Sequence, residues 1–250
     1  MHLSIAHRPW PHPSGPWALA MEWHALLFAH WPVAPALLQR HLPPGLWIET
    51  WDGAAYLGVV PFRMAGVRPR LAPSVPWISA FPELNLRTYV TDGTRPGVWF
   101  FSLDAGNPLA VELARLGFHL PYYTAQMRCA QLGETIHYHS HRTHAGRPRA
   151  DLTMTYAPGG PVQYAAPGTL AHWLTERYCL YAADRRGNLW RGEIHHARWP
   201  LQPATASFAH STLTETVGLP LPATPPLLHY AHRLDVRAWL PERVRGGVTM

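Results

Sequence analysis

Glu83, Asn85, Arg87 and Tyr89 recur at every second position of the segment Phe81 to Thr91. In a strand that spacing sends all four side chains to one face and Leu84, Leu86 and Val90 to the other. Arginine offers a planar pair of donors to a carboxylate, glutamate accepts or holds a proton, and the amide and phenol can each donate or accept. Such a set suits a small acid or a carbonyl compound. Glu83 and Arg87 stand about 13 Å apart along an ideal strand, too far for a close ion pair, which leaves each available to a ligand. A half-solvated strand with its polar side toward water gives the same pattern, so a polar interior and a wet surface both remain open. A second group follows a helical stretch: His119, Tyr122 and Tyr123 sit at a loop-to-strand corner, where tyrosines either line a pocket or cap a core. Arg177, with Tyr178, ends another helical run, where an arginine can reach a cavity or answer the helix dipole.

The 21 basic residues are all arginines. Without a lysine, no imine can form through a side-chain amine and no phosphate loop of the Walker type can be completed. Serine-hydrolase elbows, His-Glu-x-x-His helices and dinucleotide turns are absent from the sequence as well. His137, His139 and His141 alternate along one segment. Neighbouring rings there could share a metal, but the outer pair is about 13 Å apart and a third ligand would have to come from elsewhere. A solvent-facing strand accounts for them, and neither a metal nor a cofactor is expected. Nor do Cys129 and Cys179, 50 residues apart, suggest a zinc knuckle or redox pair.

These side chains need a framework to position them. Strands are expected from Glu22 to Val33, on the two sides of the Asp52-Gly53 turn (Trp47 to Trp51 and Ala54 to Met64), and at Phe81 to Thr91 and Val98 to Leu103. Further strands are expected at Ala125 to Leu132, Thr135 to Arg142, Leu152 to Ala157, Tyr178 to Ala183, Leu189 to His195 and Leu227 to Leu240. Helices are expected in the run Ala34 to Leu42, at Asn107 to Gly117 and at Thr169 to Arg177. The second has Asn107 as N-cap, Leu109, Leu113 and Leu116 as its apolar stripe, and Gly117 as its stop. Many strands at hairpin spacing with few helices predict a mainly β fold, an antiparallel sheet closed or folded on itself with peripheral helices.

With 47% hydrophobic residues and 12 tryptophans, the 250-residue chain can bury a large core. Its opening 20 residues hold four prolines and read as a flexible arm, followed by a single domain over 21–250. Apolar runs are too short for a membrane helix, and the two separated cysteines fit a reducing, cytoplasmic setting. A formal charge of +6 raises nucleic acid as a partner. The arginines are scattered, however, and the densest group, Arg142, Arg147 and Arg149 beside His139, His141 and His144, reads more simply as a solvated turn.

Several segments together resemble a family of uncharacterised bacterial proteins, the DUF2071 or YqjF-like group. They are WHALLFAHWPV, ELNLRTYV from Glu83, LPYYTAQM from Leu120, LTERYCLY from Leu174 and PPLLHYAHRLDVRAW from Pro225. That family is similar to the acetoacetate decarboxylase superfamily. The resemblance implies a curved, partly closed double barrel around a central cavity. It also aligns Pro121-Tyr122-Tyr123 with the superfamily's Pro-Lys-Lys motif and Glu83 with its acidic residue. The expectation is a cavity for a small acidic or carbonyl-containing ligand, without imine-based decarboxylation, with Arg87 as anion clamp. Glu83 is then proton acceptor or hydrogen-bond partner, and Asn85, Tyr89, His119, Tyr122, Tyr123 and Arg177 complete the candidate lining. A scaffold protein with a filled cavity is the alternative, and a nucleic-acid binder a more remote one.

Overall fold

A computed structural model describes residues 5–75 and 78–244. The ends of the expected arm and domain, 1–4 and 245–250, lie outside the described residues. Thirteen strands form one continuous sheet. In chain order they are β1 (Leu19–Val33), β2 (Trp47–Ile48), β3 (Ala55–Pro69), β4 (Phe81–Thr91), β5 (Pro96–Ala105), β6 (Tyr122–Leu132) and β7 (Thr135–Arg142). β8 (Asp151–Pro158), β9 (Cys179–Ala183), β10 (Leu189–His196), β11 (Gln202–Ser211), β12 (Leu227–Ala238) and β13 (Glu242–Arg243) complete it. Among the described residues three α-helices, α1 (Pro35–Gln39), α2 (Pro108–Phe118) and α3 (Leu170–Thr175), and a 3-10 turn at Leu213–Val217 accompany it.

Two extra pairings, β4 with β5 and β10 with β12, close the sheet into two fused rings. One ring of nine strands runs β4-β5-β6-β7-β8-β11-β12-β1-β3; the other, of seven, runs β5-β9-β10-β12-β1-β3-β4. Five strands are common to both, so their two faces look into two different interiors. The nine-strand ring is filled by Leu27, Ala29, Trp31, Leu84, Leu86, Tyr138, Met154 and Tyr156. The seven-strand ring takes Leu26, Phe28, Val60, Phe62, Leu103, Ala105 and Trp199.

Most expected strands form close to where alternation predicts them. The differences have physical causes. Asp52 and Gly53 do make the tight turn, with φ of 48° and 80°, and Trp51 and Ala54 bridge across it. The hairpin stops there, because β2 pairs with β4 instead of β3. The sheet is not wholly antiparallel: β5 runs parallel to β6 and to β9. The helical crossover α2 makes the first of these possible. β11 has no counterpart among the expected strands; it has a half-buried alternation of small residues and joins β8 to β12.

Asn107 caps α2, accepting from the Ala110 amide at 3.0 Å. The helix ends one residue beyond the expected stop, and His119, at φ 56°, supplies the left-handed cap in place of Gly117. Its expected apolar stripe is the outer one: Leu109, Leu113 and Leu116 are 50%, 59% and 74% exposed. The barrel side carries Ala110, Val111, Ala114 and Phe118, a second helical repeat offset from the leucines. The opening segment is anchored to the barrel by Arg8, whose guanidinium donates to Glu193 at 2.9 Å and to the Ile194 carbonyl at 2.6 Å.

Candidate functional site

The seven-strand ring encloses a cavity of about 440 Å³. Its walls are mostly apolar; β4 supplies Glu83, Asn85 and Arg87, and Tyr122, Arg177, Glu193 and His196 add polar groups from other elements. Pairing sets Phe62 beside Glu83, Val60 beside Asn85 and Gly58 beside Arg87, with His30 next to Gly58 on the far side. The row His30, Gly58, Arg87 is possible because the middle residue has no side chain. A Cβ on Gly58 would stand 3.1 Å from the His30 ring and 3.2 Å from Arg87 Cγ.

Two local irregularities enlarge this face. Register slips between Leu86 and Arg87, where β5 carries Phe101 as an extra residue, so Phe100 and Leu103 both line the cavity despite their odd separation. In β1 the pairing is irregular between His24 and Ala29, and Ala25 adopts φ 48°. Alternation restarts there, which lets Met21 and Trp23 share the cavity with Leu26 and Phe28.

Glu83 is 2% exposed. Burial pushes its carboxyl up to about 8, against the opposing effect of hydrogen bonds with Tyr122 and Asn85. The Tyr122 hydroxyl donates to Glu83 Oε2 at 3.1 Å. Tyr122's own ionisation is pushed well up, by burial first and then by Glu83. Near neutral pH, Glu83 is therefore predominantly a carboxylic acid.

Arg87 has no carboxylate partner among the described residues. Its guanidinium lies over the Phe28 ring, 5.1 Å from the centroid, and donates to the Tyr89 hydroxyl at 3.2 Å. That hydroxyl is also 2.6 Å from His30 Nε2 and 2.8 Å from the Leu174 carbonyl. Burial, followed by the charge of Arg87, holds His30 well below its ordinary range, so the ring is neutral and Tyr89 is fixed from three sides.

Arg177 also lines the cavity, but its charge is already answered. It pairs with Glu49, donates through Nε to the Trp173 carbonyl at 2.6 Å and stacks over the Trp173 ring at 4.4 Å. Five atoms on cavity-lining side chains are buried with no hydrogen-bond partner among the described residues: Trp23 Nε1, Asn85 Oδ1, Arg87 Nε, Arg177 Nη2 and Trp199 Nε1. Native interiors leave few such groups unsatisfied.

The structure thus brings Glu83, Asn85, Arg87, Tyr122 and Arg177 to one cavity, with Tyr89 behind the two arginines. Tyr123 and His119 are elsewhere. Tyr123 follows Tyr122 in a strand and must face the other way; its ring lies 4.6 Å from the Arg142 guanidinium in an outer groove. His119 turns out through its left-handed backbone to meet Trp190, centroids 4.9 Å apart, in that same groove. Alternation at WHALLFAHW could have found His30 and Phe28, but Trp23 is out of phase with them until the irregularity at Ala25 is known.

The other sequence candidates have partners of their own. Arg142 is 3% exposed and holds Asp104 in a two-pronged pair of 2.7 and 3.0 Å; it is not available to phosphate. His137 and His139 lie on the outer face of β7, His141 is half-buried beside them, and His139 and His141 bond to Thr153 and Asp151. No cluster of three or more potential metal ligands occurs among the described residues, and no helix there is long and apolar enough to cross a membrane.

Comparison with known proteins agrees with this architecture. The uncharacterized protein YqjF of Bacillus subtilis (strain 168) is 43% identical over 227 residues, covering 91% of this chain and 93% of the relative. An acetoacetate decarboxylase-like enzyme from Sphingomonas wittichii RW1 superposes with a TM-score of 0.61 at 14% identity, covering 96% of this chain and 98% of that one. The enduracididine biosynthesis enzyme MppR, complexed with pyruvate, gives 0.63 at 13% identity, covering 97% and 95%. Acetoacetate decarboxylase from Legionella pneumophila gives 0.61 at 12%, covering 96% and 93%. The fold is therefore that of the acetoacetate decarboxylase-like proteins. Residues 20–235 match the profile of the uncharacterized conserved proteins DUF2071, and the chain belongs to that family.

Proposed function

We propose that the seven-strand ring holds a small organic acid, or a carbonyl compound bearing a carboxylate, with Arg87 as its counter-ion. The observation that carries this reading is a guanidinium on a cavity wall, without a carboxylate of its own among the described residues, in the same cavity as a glutamic acid that is mostly uncharged near neutral pH. An unpaired cation in a low-dielectric enclosure is costly, and a ligand carboxylate offsets that cost with two parallel hydrogen bonds. Glu83 then acts as donor to a ligand oxygen, or as acid toward it, since a pKa near 8 serves proton transfer at neutral pH. Imine chemistry is outside this repertoire: no lysine occurs in the sequence, and the Tyr122 phenol, where the resemblance puts the motif's amine, is bonded to Glu83. The pyruvate complex of MppR supports a 2-oxo acid as ligand class on this fold. Both thiols are free, in keeping with a reducing cytoplasm, where we place the protein.

Thermal-shift measurements on wild type and Arg87→Met with pyruvate, acetoacetate and hexanoate, and with the matching methyl esters, test the reading. At a hundred times Kd a ligand contributes about 2.7 kcal/mol, or roughly 5–10 °C in a domain of this size. The free acids raise the wild-type melting temperature and leave the variant unchanged. Equal shifts in both proteins, or none for any acid, overturn it and favour a scaffold role.

A further inference from the structure

Beyond its polar end the cavity is far larger and more apolar than a short oxo acid requires. A volume of about 440 Å³ holds about 15 groups of water size at ~30 Å³ each, so a four-carbon acid fills less than about half of it. The remaining wall is built from Trp23, Phe62, Met64 and Phe118. Among the described lining residues, Leu113 is 59% and Val75 46% exposed. These two, Leu113 on α2 and Val75 after β3, mark where the cavity reaches the surface, and both are aliphatic.

The depth of the polar end relative to the lips gives the cavity a direction. Along β4, Glu83 pairs with Ala105, three residues before α2 begins, whereas Arg87 lies four residues further from that helix, opposite Phe100, and the apolar wall extends from the Glu83 end outward to Leu113. A ligand filling this space has a charged head and an unbranched or flat hydrocarbon body following it. We infer that the natural ligand is an amphipathic monocarboxylic acid with an apolar body of medium length, bound head first, its carboxylate at Arg87 and its tail along α2 toward Leu113. This rests on the anion reading above and adds the length and polarity of the body.

Isothermal titration of wild type with the straight-chain acids from acetate to decanoate, with octan-1-ol and octylamine as controls, tests it. Each methylene buried against this wall adds about 0.8 kcal/mol, so affinity climbs about fourfold per carbon. The climb continues to roughly eight carbons and then levels as the tail passes the lips, and the alcohol and amine bind at least tenfold more weakly than octanoate. Ala114→Trp, which fills the apolar end from α2 without touching β4, lowers octanoate affinity at least tenfold and leaves butanoate unchanged. Short acids that bind through Arg87 with no gain beyond butanoate overturn the inference and leave the anion reading standing. Octanol binding as tightly as octanoate, with Arg87→Met neutral, overturns the anion reading. Failure of every acid overturns both.

Discussion

Glu83→Gln replaces a buried carboxyl by a neutral group of nearly the same shape, and its effect on stability is strongly pH-dependent. In the unfolded chain Glu83 ionises near 4.5; in the folded protein burial raises this to about 8. Between those values the folded state binds the extra proton, so its stability falls as pH rises. The penalty is absent below about 4.5 and complete above about 8, and the gap corresponds to a ceiling of about 5 kcal/mol. With roughly 2–4 °C per kcal/mol for a chain this long, the ceiling is about 10–20 °C. Because every other titrating group is shared, the difference in melting temperature between variant and wild type, followed by circular dichroism from pH 5 to 9, isolates this one. The variant gains on wild type from pH 5 to about 8, and the difference then levels off. Parallel curves would refute the reasoning, because they would mean that Glu83 keeps an ordinary carboxyl's ionisation and reaches water.

Other perturbations probe the neighbouring structure. Gly58→Ala places a methyl against His30 and Arg87; it should weaken acid binding at least tenfold in titration while leaving the far-ultraviolet spectrum unchanged. Arg142→Met strands the buried Asp104 carboxylate and should cost about 3–5 kcal/mol by urea unfolding, with the double variant Arg142→Met, Asp104→Leu recovering most of it. His195 is held down to about 4, by burial first and then by Arg8 and the neighbouring histidines. The stability it contributes is complete above about 6.5 and is lost as pH falls toward 4. His195→Gln should therefore melt less steeply than wild type through that acid window, whereas identical slopes would show the ring already solvated.

Strand alternation makes much of this site legible in the amino-acid sequence. Period two from Phe81 separates Glu83, Asn85 and Arg87 from Leu84 and Leu86, and the two sets enter different rings because β4 is shared between them. The same rule, applied to consecutive positions, rejects Tyr123 once Tyr122 faces inward. What stays hidden depends on breaks in the period. The extra residue at Phe101 and the left-handed Ala25 each shift a strand by one position, and no residue type there announces it. In α2, two helical repeats overlap, and the larger leucines mark the outer one, because the barrel side needs alanines for close approach. The pairing of β2 with β4 and the parallel neighbours of β5 are matters of closure, which local sequence does not encode.

The most direct measurement is a crystal structure with 8-bromooctanoate, its bromine located by anomalous scattering. The account places the carboxylate within hydrogen-bond distance of the Arg87 guanidinium inside the seven-strand ring, and the bromine peak beside Leu113. A ligand found only in the outer groove by Tyr123 and Trp190, or a carboxylate pointing to the mouth with the bromine against Arg87, would contradict it.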